Sequence, residues 1–297
     1  VTTAPPPPDD EPALSVVLCT LDGAATIATQ IRALAAQVWD RPWEVVVVDN
    51  GSTDGAATVA LAAAGHDPRF RVVDAPDRHG LAYARNVGVR AARAPAVVFV
   101  DDDDEVAPGY LAAMGRALDE HPLVGAALEY ARLAPAGDDD RRSSFGSTGI
   151  GTMFGLPTLP GACGCQRWVW ERLGGNDERW DRTGEDFEFS MRAHRELGIT
   201  PVFVPDAVYH YRRRAGARAS FRQLRRYGAS HVRLYREHGR HVGGRPDPLG
   251  GVVKQWLWLG RHLPDLRHPS RRTRWAVLAG RRVGRLEGMV RYRTWYP

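Results

Sequence analysis

Four short apolar runs constrain this chain more than anything else in it: Leu14 to Thr20, Trp43 to Val48, Phe70 to Val73 and Ala96 to Val100. Between them lie segments with helical spacing. Ile27, Ile31, Leu34 and Val38 form one, alanine-rich Ala56 to Ala64 a second, and Leu81 to Arg93, with Leu81, Ala84, Val87 and Ala91 inward, a third. Runs that are apolar at nearly every residue suit strands covered on both faces. This alternation predicts a parallel sheet with right-handed crossovers and helices on both sides. The expected fold class is α/β, and ligands in such sheets bind beyond the carboxyl ends of the strands.

Three of those ends run into polar clusters: Thr20-Leu21-Asp22, Asp49 to Asp54, and Asp101-Asp102-Asp103-Asp104-Glu105. Five adjacent carboxylates repel one another. A divalent cation holding phosphates is the simplest partner for them, a solvated acidic turn the plainer alternative. Three independent loops converging on one edge favour a nucleotide site. No Gly-x-Gly-x-x-Gly follows the first strand and no Walker loop occurs, so phosphates must be held by a metal and basic side chains. A Gly-x-Ser-x-Gly elbow is also missing, which argues against an α/β-hydrolase.

The 297 residues are 43% apolar and 25% charged, enough for a sizeable soluble core. No apolar run approaches the ~18 residues of a spanning helix. Val1 to Pro12 lacks signal-peptide character and reads as a disordered, proline-rich arm. Cys19, Cys163 and Cys165 have neither zinc spacing nor an even count, so reduced thiols and a cytoplasmic setting are expected. Charge is divided unevenly. From Arg212 to Pro297 there are 22 Lys+Arg against 4 Asp+Glu, a balance of +18, which leaves −13 for the preceding residues within the net +5. Such a tail suits contact with phosphates on an anionic membrane, a nucleic acid or an acidic acceptor; a solvated helical face is the alternative.

Beyond Pro108 the pattern predicts a helix over Tyr110 to Glu120, a strand over Val124 to Leu133 and a polar loop over Asp138 to Gly151. Arg167, Trp168 and Trp170 crowd one segment, Gly174 to Glu178 turns, and Gly184-Glu185-Asp186 opens a helix to Leu197. Two short strands, Thr200 to Val204 and Ala207 to Tyr211, lead into Arg212-Arg213-Arg214. Helices are expected over Phe221 to His238, Val252 to His262 and Arg274 to Val290.

Six stretches in order carry a resemblance: Ser-Val-Val-Leu-Cys-Thr, Val-Asp-Asn-Gly-Ser-Thr-Asp, Gly-Leu-Ala-Tyr-Ala-Arg-Asn-Val-Gly, Phe-Val-Asp-Asp-Asp-Asp, Gly-Gly-Asn-Asp-Glu and Gly-Glu-Asp-Phe-Glu-Phe-Ser-Met-Arg. Over Leu14 to Arg214 the chain resembles the inverting family 2 glycosyltransferases, whose fold is called GT-A. The resemblance implies a catalytic domain over 13–214, with a nucleotide-binding half (13–107) and an acceptor-binding half (108–214), between the arm (1–12) and a basic helical extension (215–297).

It also implies roles. Asp49 would hydrogen-bond the nucleotide base, with Thr20 lining that pocket, and Asp101 would face the ribose. Asp103 would be the direct ligand of a Mn2+ or Mg2+ ion, His210 a second ligand, and Asp104 a support behind them. Asp102 belongs to the same donor-binding motif although its side chain, like that of Glu105, is expected to point elsewhere. Asp186 would be the catalytic base, because a sugar hydroxyl is a poor nucleophile until a carboxylate takes its proton. Glu185, Trp180 and Arg212 would stand on the acceptor side or in support. Arg85, with Asn86, would touch the donor or brace the loop, bracing being the favoured reading. The implied donor is a nucleoside-diphosphate sugar, with uridine preferred. The acceptor would be a carbohydrate, a lipid-linked intermediate or a small natural product. The chain lacks the paired long apolar segments of processive synthases, so one transfer per encounter is expected. Its basic helices would meet a membrane surface or a second copy of the chain.

Two other classes compete. A sugar-phosphate nucleotidyltransferase would place a Gly-rich loop and a basic residue after the first strand, where this chain has Leu21-Asp22-Gly23. A nucleic-acid-binding protein would have no use for carboxylates at several strand ends, and no nucleic acid is expected.

Overall fold

The computed structural model describes residues 11–134, 150–159, 161–180 and 183–297. The proline-rich arm through residue 10 and most of the loop expected after Asp138 lie outside them. The nucleotide half runs β1 (Leu14–Thr20), α1 (Ile27–Ala35), β2 (Trp43–Asp49), α2 (Ala56–Ala64), β3 (Phe70–Asp74), α3 (Leu81–Ala91) and β4 (Ala96–Asp101). Then come β5 (Glu105–Val106), α4 (Tyr110–Glu120), β6 (Leu123–Glu129), β7 (Gly151–Met153), β8 (Leu156–Thr158), β9 (Cys163–Gln166), α5 (Arg167–Arg172), α6 (Glu185–Leu197) and β10 (Val202–His210). The tail holds α7 (Ala217–Glu237), α8 (Leu249–Arg261) and α9 (Pro269–Tyr292), with 3-10 turns at Gly239–Val242 and Leu263–Arg267.

Eight strands form one sheet in the order β3-β2-β1-β4-β9-β6-β10-β5, while β7 and β8 pair separately. The four strands read from sequence are parallel neighbours, as expected. Strand β1 shows why. Leu14, Val16 and Leu18 enter one core with Ile27, Ile31 and Met114, while Val17 and Cys19 enter the other with Ala84, Val89 and Phe189. With a side-chain period of two, only a strand covered on both sides needs apolar residues at both parities. Past β4 the sheet becomes mixed: β9 runs antiparallel to β4 and β6, and β10 runs parallel to β6. Both expected halves therefore share one sheet.

Several expected bounds shift for local reasons. Helix α1 stops at Ala35, leaving Val38 84% exposed rather than in the core. Helix α3 buries a wider face than expected. A Cβ on Gly88 would overlap Val17 and come within 2.9 Å of Val48, so the backbone lies close on the sheet there. Ala82, Arg85, Asn86 and Val89 are consequently buried together with the expected Ala84, while Leu81, Val87 and Ala91 pack against the same core half-buried. Strand β6 ends at Glu129 rather than Leu133. The two short strands around Pro205 are one strand, β10, whose pairing with β6 shifts register between Val204 and Val208. Proline cannot donate to the ladder, and a bulge accommodates it.

In the tail, α9 lies on α7 through glycines. A Cβ on Gly284 would overlap the Arg225 carbonyl, one on Gly280 would stand 2.5 Å from the Phe221 carbonyl oxygen, and one on Gly288 would stand 2.8 Å from Val232. Four-residue spacing puts these glycines on one stripe of α9. Gly284→Val should therefore cost about 3 kcal/mol, the upper range for overpacking, seen as a lower melting temperature and faster proteolysis of the tail. Gly260→Ala, with open space around it, should be neutral and serves as the control.

Candidate active site

Register brings the three polar strand ends together. Thr20 stands opposite Asp49 and Cys19 opposite Asp101. The first two loops are laced to each other: Asp22 Oδ1 accepts the Thr53 N–H at 2.8 Å, and Asp54 Oδ2 accepts the Ala24 N–H at 2.9 Å. Asp49 Oδ1 accepts the Ser52 N–H at 2.8 Å, which orients that carboxylate at the strand end. Asn50 is buried and ties in the third loop, donating to the carbonyls of Ala75 and Arg78 at 2.7 Å each and accepting from the Gly80 N–H at 2.8 Å. Nothing in the Asp-Asn-Gly turn signal distinguished Asn50 from a surface turn residue.

The acidic turn is fixed from behind by two residues that sequence reasoning missed. Asp101 donates its N–H to Tyr209 Oη at 2.8 Å. Gln30, buried on α1, donates to the Asp101 carbonyl at 3.3 Å and accepts the Val106 N–H at 2.9 Å. The five carboxylates then part company. Asp101 lies 3.7 Å from Arg85 Nη2. Asp102 turns back to the first loop and accepts from Thr20 Oγ1 at 2.5 Å. Burial, and then the charges of Asp103 and Asp101 against the opposing Thr20 bond, push its pKa up to about 6. Gly23 has no Cβ because those two side chains fill the space. Asp103 lies 3.0 Å from Arg214 Nη2, and burial followed by Asp101 raises its pKa. Asp104 is buried: Oδ1 accepts the Arg212 N–H at 2.6 Å, and Oδ2 has no hydrogen bond of good geometry among the described residues. Burial and the charges of Asp101 and Asp103 hold its pKa well above the usual carboxylate range. Glu105 leaves the cluster to pair with Arg132 at 2.7 Å.

Arg212 thus serves the acidic turn rather than the acceptor side, since its Nε also donates to the Asp103 carbonyl at 2.6 Å. His210 ends β10 with Nδ1 2.8 Å from Glu129 Oε2. Donation of the Nδ1–H to that carboxylate leaves Nε2 as the basic nitrogen, the tautomer a metal-binding imidazole needs. Among the described residues no three His, Cys, Asp or Glu side chains converge as a self-sufficient metal site. The hard oxygen donors, the raised carboxyl pKa values and the orphaned Asp104 Oδ2 fit a cation whose remaining ligands are phosphates.

Across from this edge, Gly184 (φ +94°) starts α6, and Glu185 and Asp186 occupy its first turn, where the helix dipole favours anions. Glu185 is buried with Oε1 3.4 Å from Arg85 Nη1. Arg85 is itself buried, its guanidinium 5.2 Å over Phe99, and it bridges Asp101 to Glu185. Asp186 accepts the Phe187 N–H at 2.8 Å. Burial and then the Glu185 charge, opposed by Arg85, push its pKa up to about 8. The buried thiols of Cys19 and Cys163 are pushed up to about 12 and stay neutral.

Trp180 does not face the acceptor side. It is 2% exposed, with the Arg233 guanidinium 4.0 Å over its ring, and it packs under Gly184, where a Cβ would stand 3.0 Å from the indole. Trp168 is exposed and bonded to Gln166, whereas Trp170 lies beneath Gly175. Asn86 braces the Gly-Gly-Asn turn through the Asn176 carbonyl (2.9 Å), the Asn176 N–H (2.8 Å) and Glu178 (3.0 Å). Helix α7 also reaches this side. Ser230 Oγ donates to the Thr183 carbonyl at 3.1 Å, and the Asp186 charge is second only to burial in raising the Tyr227 pKa.

The family described as Glycosyl transferase family 2 matches residues 15–173. ExoO of Rhizobium meliloti (strain 1021), a succinoglycan biosynthesis protein, is 40% identical over 110 residues, which are 37% of this chain and 31% of ExoO. EpsH of Bacillus subtilis (strain 168) is 34% identical over 116 residues, 39% of this chain and 33% of EpsH. The matched stretch is thus about a third of either relative. Among solved structures, the chain is similar to mannosyltransferase PcManGT from Pyrobaculum calidifontis in complex with GDP-Man and Mn2+. That likeness has a TM-score of 0.59 at 19% identity, over 93% of this chain and 87% of that one. TarS 1-349 of S. aureus in complex with UDP-GlcNAc gives 0.55 at 18% identity, over 96% and 93%. Glucosyl-3-phosphoglycerate synthase from Mycobacterium tuberculosis, in complex with Mn2+ and UDP, gives 0.54 at 22%, over 77% and 80%. At such identities these structures share the GT-A fold with it. The family match covers more than half of the chain and contains the strand ends that meet at the acidic turn, so this protein belongs to glycosyl transferase family 2.

Proposed function

We propose that the protein is a metal-dependent, inverting hexosyltransferase that moves a sugar from a UDP-sugar to an acceptor hydroxyl in a single displacement. One observation carries this reading: buried Arg85 joins Asp101 of the nucleotide edge to Glu185, the neighbour of Asp186, 100 residues farther along the chain. A carboxylate of raised pKa is thereby held across from a phosphate-binding edge. The UDP preference draws on TarS and the mycobacterial synthase, both seen with uridine nucleotides.

In this reading Asp49 and Thr20 receive the base and Asp101 the ribose. Asp103, with His210 through Nε2, would hold the Mn2+ or Mg2+ ion. Bound there with the diphosphate, the ion supplies charge neutralisation for the departing nucleoside diphosphate. Asp104 and Arg212 keep the turn in place, and Asp102 shapes its first-loop side. Asp186 accepts the proton of the acceptor hydroxyl as that oxygen attacks C1, and the C1–O bond to phosphate breaks on the opposite face. No second acid is required, unlike the carboxyl pair of a glycoside hydrolase. The acceptor is a carbohydrate, a lipid-linked intermediate or a small natural product. The basic helices contact a membrane surface or a second copy. NMR of the product tests the displacement: an α-linked donor should give a β-linked product, and an α-linked product would overturn it.

The pKa of Asp186 sets a pH dependence. The base works only when ionised, so kcat/KM should rise about tenfold per pH unit on the acid side and level off above about 8. Glu185→Gln removes a charge that raises this pKa, so the limb should move to lower pH. A pH–rate profile of both proteins checks the sign.

A further inference from the structure

The outer side of α8 is apolar. Leu249, Val253, Trp256 and Leu257 fall within about 100° of arc at 100° per residue, and all four are exposed, Leu257 by 67%. Leu263 and Leu266 follow directly and are exposed too. The opposite face of α8 is settled: Val252 and Leu259 are buried, and Trp275 Nε1 donates to the Leu259 carbonyl at 3.0 Å. A folded chain seldom leaves this many large apolar side chains together on its surface without a partner. From Leu249 to Arg274 the sequence also has six Lys+Arg against one acid, Asp265.

Beside the stripe, α8 and α9 enclose a groove of about 500 Å³ with Lys254 and Trp258 on one wall and Arg274, Val277, Leu278 and Arg281 on the other. Arg274 lies 5.4 Å over the Trp258 ring, which stacks on His262 at 4.2 Å. Behind this lining, Arg282 bonds to Gln255 of the groove at 2.6 Å, and Arg282 and Arg285 both bond to Asp247, at 2.9 and 2.6 Å. Arg281 stands beside them with a buried Nε that has no partner among the described residues. Three guanidinium groups with one carboxylate leave positive charge unanswered, and burial together with Arg285 and Arg282 lowers the Arg281 pKa. Cations in a groove with apolar walls, opening beside an apolar stripe, match a phosphate carried on a hydrocarbon chain.

We propose that α8 rests in the interface of an anionic bilayer and that the α8–α9 groove binds the phosphate of a phospholipid headgroup. This names the partner for the basic helices in the function proposed above and does not depend on sugar transfer. A second copy would set one strongly basic face against another. A nucleic acid would have no use for Leu249, Val253 and Leu257. Among the described residues no helix is long and apolar enough to cross a membrane, so α8 would lie on the surface.

Vesicle flotation tests the proposal. With about 30% phosphatidylglycerol and about 0.1 M salt, the protein should bind at least about tenfold more than with phosphatidylcholine alone. Val253→Ser with Leu257→Ser, both at exposed positions, should reduce binding at least about fivefold. Lys254→Glu with Arg274→Glu should erase the preference for anionic vesicles. Vesicles given equal charge by a fatty acid should bind less than phosphatidylglycerol. Equal wild-type binding to neutral vesicles, none to either, or variants that float like the wild type would overturn the docking. Equal binding to fatty-acid vesicles would remove the phosphate site. A dimer that the serine variant splits, by sedimentation, would assign the stripe to a second copy instead. UDP binding by each variant is read in parallel and should not change, so lost flotation with UDP binding retained separates a failure of docking from a failure of the transfer reading.

Discussion

Asp186→Asn should lower kcat by about 10³-fold, within the range removed with a general base, or about 4 kcal/mol of transition-state stabilisation. Donor and Mn2+ affinity should stay within about twofold, because the amide oxygen can still accept the Phe187 N–H and no role of Asp186 in holding UDP is part of the account. The sign of the stability effect is also determined. A carboxyl whose folded pKa is raised above its unfolded value favours folding when protonated and opposes it when ionised. Near pH 8 the neutral amide should therefore leave the melting temperature unchanged or higher. A kcat within tenfold of wild type would remove Asp186 from the base role. A melting temperature lowered by many degrees would mean that the carboxylate is structural.

Asp103→Ala should weaken Mn2+-dependent UDP binding by at least about 100-fold, measured by calorimetry, since it deletes the direct carboxylate ligand proposed for the ion. Binding measured in chelator should hardly change, because the pocket of Thr20 and Asp49 is untouched. Arg214 sharpens the comparison. It stands 3.0 Å from Asp103 and supplies positive charge there, so a cation must displace it. Arg214→Ala should leave Mn2+ binding unchanged or tighter, the reverse of Asp103→Ala. Protons compete as well. Asp103 has a raised pKa, so Mn2+ affinity should increase with pH as its carboxyl ionises, and Asp102 beside it adds negative charge as pH rises through about 6.

What the sequence revealed and what it hid follow from where each residue's partner lies. Strands β1 to β4 were legible because β-branched runs flanked by polar turns encode both burial and the point where burial stops. The acidic turn was legible because five carboxylates have no stabilising reason to stand together. Helix α3 was read only in part because apolar spacing alone set its face. The deciding contact is Gly88 against Val17 and Val48, and the partners of Arg85, which is buried there, are Glu185 and Asp101. Gln30, Tyr209 and Glu129 left no signal, since each is a single polar residue whose partner stands 71 to 108 residues away. Whether Trp180 would touch a sugar or only support the site was not legible, because an aromatic near a sugar site and an aromatic in a core look alike until Arg233 is seen over its ring. The tail was legible as helices, but the close packing of one face at Gly280, Gly284 and Gly288 was not read from it. Which helix would fill that face was not written locally.

A thermal-shift comparison of UDP with Mn2+ against UDP in chelator reads the joint site of Asp49, Asp101 and Asp103 in the unaltered protein. At about 100 times Kd the linked stabilisation is about 2.7 kcal/mol, a rise of roughly 4 °C for a chain of this size. The account predicts that rise for UDP with Mn2+, with little for either alone. An equal rise in chelator, or none with the pair, would contradict it.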